Sequence, residues 1–207
     1  IVKSAYRGGI FQSYYLGHFS DVYDMDINSA YPYAMSLLRE YQDTVIHVKS
    51  ETELTRLTQK LTGLTVSELL DMLNTNDVNK INQLLVKLTE FYGFVHVKMN
   101  DFRYYGFRKK KGDSIFYGKV KDKQEIWITY LDYLIQKLFK VEMEFIDAIV
   151  IPTKKEKAFP FIQELYNMKD KIKKEYGKES MHYWIIKVII NALYGAVAQH
   201  TPKETKF

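Results

Sequence analysis

The sequence predicts an α+β protein, a partial antiparallel sheet with packed helices plus a two-helix hairpin. Gly93-Phe94-Val95-His96-Val97-Lys98-Met99 alternates with the period of a strand, and segments 114–120 and 141–151 read as two more. Segments 159–175 and 178–198 read as long helices that meet around Tyr176-Gly177. With 207 residues and 46% hydrophobic content, the chain can build one sizeable core or two small ones.

Taken in order, residues 20–27 read as a strand, and Asn28-Ser29 can cap a helix running to about Glu40, with apolar Ala34, Met35, Leu37 and Leu38 along it. Asp26 therefore falls at the strand's end. From about 42 to 91 the character changes to polar helices punctuated by leucine. Ser50-Glu51-Thr52-Glu53 is a capping-box signature, Thr65 or Ser67 can open the next helix, and Asn74-Thr75-Asn76-Asp77 is a turn ahead of a helix over 78–90. Ile126, Trp127, Tyr130, Leu134 and Leu138 have helical spacing within 124–139, and Pro152 is expected to close the strand over 141–151.

Composition narrows the chemistry. Thirty Lys and Arg against 25 Asp and Glu give +5, a bias compatible with a polyanionic partner and common among ordinary soluble proteins. The absence of cysteine excludes disulfides, thiolate metal sites and cysteine nucleophiles, so a metal here must use oxygen or imidazole ligands. The five histidines are scattered singly and make no zinc-type pair. The most apolar stretch, 184–198, is interrupted by Lys187 and Asn191 and is too short to cross a bilayer. No signal peptide is visible, so no membrane partner and a cytoplasmic location are expected. Because residue 1 is Ile rather than Met, the chain is expected to be a domain excised from a longer protein.

Several groups of residues carry possible chemistry. Asp24 and Asp26 would face the same side of a strand, which offers two candidate carboxylate ligands. The amides of the following turn, 27–31, can meet an anion as helix N-termini do; the plain alternative is a capped helix with Tyr31 in its core. Lys187, Asn191 and Tyr194 lie at i, i+4 and i+7, one narrow stripe on an otherwise apolar helix. Burying that lysine and asparagine without partners would be costly, although a snorkelling lysine would also satisfy the pattern. Lys169 and Lys173 are again i and i+4. With Lys171, Lys174 and Lys178 they could equally form a solvated face in which Asp170 and Lys174 pair. In Tyr6-Arg7-Gly8-Gly9, two glycines permit close approach to phosphates, or any tight turn. Arg103-Tyr104-Tyr105-Gly106-Phe107-Arg108-Lys109-Lys110-Lys111 interleaves cations with aromatics, as a nucleic-acid contact or an exposed turn would.

Three of these segments together resemble the nucleotide-handling motifs of family B DNA polymerases. Asp26-Ile27-Asn28-Ser29-Ala30-Tyr31-Pro32 is similar to the pattern D-x-x-S-L-Y-P, with Ala30 in place of the usual leucine. Lys187 to Gly195 is similar to K-x-x-x-N-S-x-Y-G and departs only at Ala192. Tyr6-Arg7-Gly8-Gly9 is similar to the Y-x-G-G element that precedes the polymerase domain.

The resemblance implies template-directed transfer of a deoxynucleoside monophosphate to a primer hydroxyl, with two Mg2+ ions as cofactors. It selects Asp26 over Asp24 as the catalytic carboxylate and implies metal binding by Asp26 and Ile27. It implies nucleotide binding by Ser29, Ala30, Tyr31, Lys169, Lys173, Lys187, Asn191 and Tyr194, with Tyr31 excluding a ribose 2' hydroxyl. Tyr6, Arg7, Gly8, Gly9 and Gly195 would contact DNA.

In the family's terms, residues 1–41 would be the first part of the palm, 42–91 a helical insertion, 92–153 palm strands and helix, and 154–207 the fingers helices. The long interval between the two main motifs resembles the protein-primed polymerases of phages and linear plasmids. That subgroup would add a priming terminal protein to the expected partners, which are primer-template DNA, a deoxynucleoside triphosphate and the remaining polymerase segments. A phage-encoded chain would work in the host cytoplasm. The family's third motif, Y-x-D-T-D, does not occur in the 207 residues, so the two-metal site is expected to be incomplete here and the isolated chain inactive. The alternative is a non-catalytic nucleic-acid or priming-protein binding module with a polymerase-like fold.

Overall fold

The computed structural model describes residues 18, 20, 30–106 and 116–198. They form seven helices and five strands: α1 (Ala30–Leu37), β1 (Arg39–Tyr41), β2 (Ile46–Val48), α2 (Glu51–Thr62), α3 (Val66–Leu73), α4 (Val78–Lys87), β3 (Phe91–Asp101), β4 (Lys119–Thr129), α5 (Tyr130–Leu138), β5 (Glu144–Lys157), α6 (Phe161–Tyr176) and α7 (Met181–Ala198). This is the α+β class expected. The chain divides into two compact units, one of residues 1–15 and 41–154, the other of 16–40 and 155–207. The expected strand over 20–27 lies outside the described residues.

In the first unit, β3 is an interior strand of the sheet, between β5 and β4, and buries every second side chain. Phe91, Gly93, Val95, Val97, Met99 and Asp101 alternate with half-exposed neighbours along its whole length. The sheet order is β1-β5-β3-β4, with β2 also pairing to β5. The β2–β5, β3–β5 and β3–β4 pairs are antiparallel, with Val95 opposite both Ala148 and Ile128. Helix α5 packs on β3 and β4, and α3 packs on α5. Leu54, Leu69, Leu84, Ile128 and Leu134 fill the space between helices and sheet.

The helix starts follow local chemistry. Ser50 accepts the Glu53 amide at 3.2 Å and caps α2. Thr65, rather than Ser67, opens α3 with a complete capping box to Glu68. A second box joins Thr129 to Asp132 and starts α5 at Tyr130.

This second box corrects the helix expected over 124–139, whose first six residues belong to β4. Ile126 and Tyr130 lie at i and i+4, as a helix requires, and together with Ile128 they also alternate with the period of a strand. Pairing with β3 resolves the ambiguity, since Ile126 faces Val97 and Ile128 faces Val95. Two further bounds shift. The helix expected to reach Glu40 ends at Leu37, because Ala158 donates to the Leu38 carbonyl at 3.0 Å and Arg39–Tyr41 joins the sheet. Nor does Pro152 close β5. It lies opposite Phe91, where β3 begins, so its missing N–H interrupts no longer ladder, and its carbonyl accepts the Gln42 amide at 2.8 Å.

Gly93 lies where the start of α5 presses on β3. A Cβ there would lie 2.8 Å from the Tyr130 Cβ and 2.9 Å from Phe91 Cε2, and both obstacles are themselves buried. Gly93→Ala is therefore expected to destabilise the first unit by about 2 kcal/mol through overpacking. A urea midpoint equal to that of the parent would refute this.

Glu51, at the first turn of α2, ties that helix to α5. Its Oε1 accepts a hydrogen bond from Tyr133 Oη at 2.6 Å and another from Lys137 Nζ. The Lys137 ammonium, then the Tyr133 hydroxyl, hold the carboxyl below the usual carboxylate range, while burial pushes the Tyr133 hydroxyl up. Because the folded-state pKa is depressed, this contribution is present above the unfolded value of about 4.3 and is lost as pH falls through the folded one. The Glu51 side chain is 46% exposed, so screening limits the gain to about 1 kcal/mol. Glu51→Gln should flatten the acid-side decline in stability; an unchanged slope in acid titrations would contradict it.

The second unit packs α1 against α6 and α7, and these two against each other. Its hairpin turns at Gly177, whose φ of +79 favours glycine and whose amide donates to the Lys173 carbonyl at 3.1 Å. Ser180 Oγ then accepts the Tyr183 amide at 3.2 Å and starts the second helix.

Candidate functional site

Helix α7 sets a buried stripe beside an exposed polar one. Ile186 and Ile190, one turn apart, point inward and are 4% and 0% exposed. Lys187 and Asn191, each one residue further along, are exposed. Among the described residues, no hydrogen bond or ion pair holds the Lys187 ammonium. An otherwise apolar helix thus presents a cation and an amide side by side, because packing consumes only the isoleucine stripe. Tyr194 and Gly195 follow on the same helix. A Cβ on Gly195 would meet nothing within 4 Å, so no packing among the described residues requires glycine there.

Helix α6 separates its two candidate lysines. Lys173 is exposed, whereas Lys169 is only 4% exposed. It shares the buried face of α6 with Ile162, seven residues earlier, and its Nζ lies 5.2 Å from the centroid of the Tyr166 ring. That cation–π contact partly replaces the water Lys169 has lost. Tyr166 was not singled out from the sequence, although its i, i+3 spacing to Lys169 is a readable signal. The ion pair on this helix joins Lys171 to Glu175 at 3.9 Å.

Helix α1 begins at Ala30, so its first turn holds Ala30 and Tyr31, both exposed. Pro32 and Met35 are its buried residues. The fold thus gathers Ala30, Tyr31, Lys169, Lys173, Lys187, Asn191, Tyr194 and Gly195 onto three helices of one unit that pack on one another. Asp26, Ile27 and Ser29, and Tyr6, Arg7, Gly8 and Gly9, lie outside the described residues.

Among the described residues, no cluster of three or more His, Cys, Asp or Glu side chains could hold a metal ion, and no helix is long and apolar enough to cross a membrane.

The family model for DNA polymerase type B, organellar and viral, matches residues 1–207. No curated protein sequence matches the chain significantly. Among solved structures, the chain is similar to Phi29 DNA polymerase in an orthorhombic crystal form, with 14% identity and a TM-score of 0.49 over 84% of this chain and 26% of that one. Phi29 DNA polymerase complexed with primer-template DNA matches with 14% identity and a TM-score of 0.46, over 84% and 25%. The ternary complex of the same polymerase with primer-template DNA and incoming nucleotide substrates matches with 15% identity and a TM-score of 0.43, over 82% and 25%. The chain spans about a quarter of the length of these polymerase chains.

Proposed function

The chain belongs to the organellar and viral type B DNA polymerases, and from that membership we propose that it is the nucleotide-gripping part of a template-directed DNA polymerase. One observation carries the reading. The helix that follows the Asp26 motif packs against the two helices bearing Lys173, Lys187 and Asn191, whose side chains remain exposed, the last two on an otherwise apolar helix. A triphosphate would bring several negative oxygens to such a place and give Lys187, unpaired among the described residues, a counter-charge.

In this proposal Lys187 and Lys173 meet phosphate oxygens. Lys169, held over Tyr166, adds positive charge behind them. Ser29, with Ala30 and Tyr31 at the start of α1 and Asn191 and Tyr194 on α7, would shape the pocket around the sugar and base. Gly195 has open space beside it, as a passing base pair or template strand would require. Tyr6, Arg7, Gly8 and Gly9 would add DNA contacts. Residues 1–41 and 92–153 then correspond to palm, 42–91 to a helical insertion, and 154–207 to fingers.

Asp26 offers a carboxylate oxygen, the hard donor type that suits Mg2+, with Ile27 beside it. When bound, the metal would neutralise charge on the triphosphate. The second metal carboxylate would come from a Y-x-D-T-D motif outside these 207 residues, so the isolated chain would bind a nucleotide without polymerising it. The long interval between the two main motifs favours the protein-primed subgroup, in which a terminal protein joins primer-template DNA as partner.

Calorimetric titration of the chain with a deoxynucleoside triphosphate tests the reading. Losing one charge-assisted contact in Lys187→Ala should weaken binding about 10- to 100-fold. A parent chain that does not bind, or equal affinity in the variant, would sink the proposal.

A further inference from the structure

The first unit carries a cation–aromatic cluster with no part in the site above. The Tyr104 and Phe139 rings stack with centroids 4.0 Å apart and planes 11° apart. Both stay in solvent, at 44% and 48% exposure, although two rings of this size gain by burial. The Arg103 guanidinium lies over the Tyr104 ring, 5.7 Å from its centroid.

The cluster is held by bonds other than the stack. Asp101, at the end of β3, is 5% exposed and grips Arg103 through Nε to Oδ1 at 2.9 Å and Nη2 to Oδ2 at 2.6 Å. Arg103 Nη1 makes none of these bonds. Gln136, fully buried in α5, donates from Nε2 to the Tyr104 carbonyl at 3.2 Å and fixes the turn against the helix that ends at Phe139. Lys140 follows in the left-handed conformation, with φ +53, and is exposed.

We propose that Arg103, Tyr104, Phe139 and Lys140 form a stacking site for single-stranded nucleic acid, separate from the nucleotide site of the second unit. An unpaired base offers a flat π-face to an exposed ring, and the phosphates on either side of it would meet Arg103 and Lys140. A duplex has its base faces already stacked and offers only phosphates. The rings are pre-set, since Asp101 and Gln136 bear the cost of ordering the turn before a strand arrives. This site does not depend on the polymerase reading, and Lys187→Ala should leave it intact, so the two proposals fail separately.

The test is fluorescence anisotropy of labelled oligo(dT), oligo(rU) and a duplex oligonucleotide with the full chain. With Tyr104 covered by Phe139 and Arg103, the outer face of Phe139 takes the base. Phe139→Ala should weaken single-strand binding about tenfold, the loss of one stacked base, and Tyr104→Ala, which removes the ring behind it, should weaken it too; both should leave duplex binding unchanged. A loss with oligo(dT) or oligo(rU) supports the site and shows which sugar it takes. Unchanged curves for both single strands, or an equal loss for the duplex, overturn it. Phe139→Trp keeps a larger ring and provides an independent readout. Its fluorescence should be quenched by oligo(dT) beyond the quenching of the parent chain; no extra quenching would also overturn the site.

Discussion

Asp26→Asn, placed in a polymerase that carries residues 1–207, should lower single-nucleotide incorporation by about 10³-fold or more, with DNA binding little changed. Asparagine keeps the size and one oxygen of the side chain and loses the charge. If Asp26 is a metal carboxylate, that charge stabilises the transferring phosphoryl group by several kcal/mol, and about 4 kcal/mol corresponds to a thousandfold in rate. Asp24→Asn is the matching control, because both carboxylates would face one side of a regular strand and only Asp26 matches the family pattern. Pre-steady-state incorporation assays decide between them. Unaltered incorporation by the Asp26 variant would remove the catalytic assignment.

Leu134→Ala should destabilise the first unit by about 3 kcal/mol, a large share of the stability of a domain this size. Leu134 is fully buried on α5, in the core formed with Leu54, Leu69, Val97 and Ile128. Its removal leaves a cavity in a layer that the sheet on one side keeps from collapsing. The chain has two tryptophans, Trp127 on β4 and Trp184 on α7, and so one in each unit. In a Trp184→Phe background, Trp127 emission reports the first unit by itself. A denaturation midpoint within experimental error of the parent would show that Leu134 does not carry the core.

Much of the fold can be read from neighbouring residues. The alternation of β3, the caps at Ser50 and Thr65, and the hairpin at Gly177 rest on interactions within a few positions, and the structure contains each of them. Sequence and structure part where a local pattern has two solutions. Ile126 and Tyr130 fit helix and strand alike, and the choice came from β3, about thirty residues earlier in the chain. Pro152 looked like a stop because a proline interrupts a ladder, yet it occupies the position where β3 begins. Of the candidate site, the residue types and their spacings are readable, whereas the exposure of Lys187 beside a buried stripe is a product of packing. The inward turn of Lys169 is not readable either, since spacing treats it and Lys173 as equivalent.

Amino-acid order was therefore enough for family membership, the class of fold and the identity of the nucleotide-contacting candidates, because each depends on residue type and short-range spacing. Packing between distant segments settled the rest. It buried the face of α6 that carries Lys169 and left Lys173 in water. It brought Gln136 to the Tyr104 carbonyl and so set an exposed ring pair beside Arg103. Burial is a property of what lies opposite a side chain, and what lies opposite is chosen by contacts that no local pattern contains.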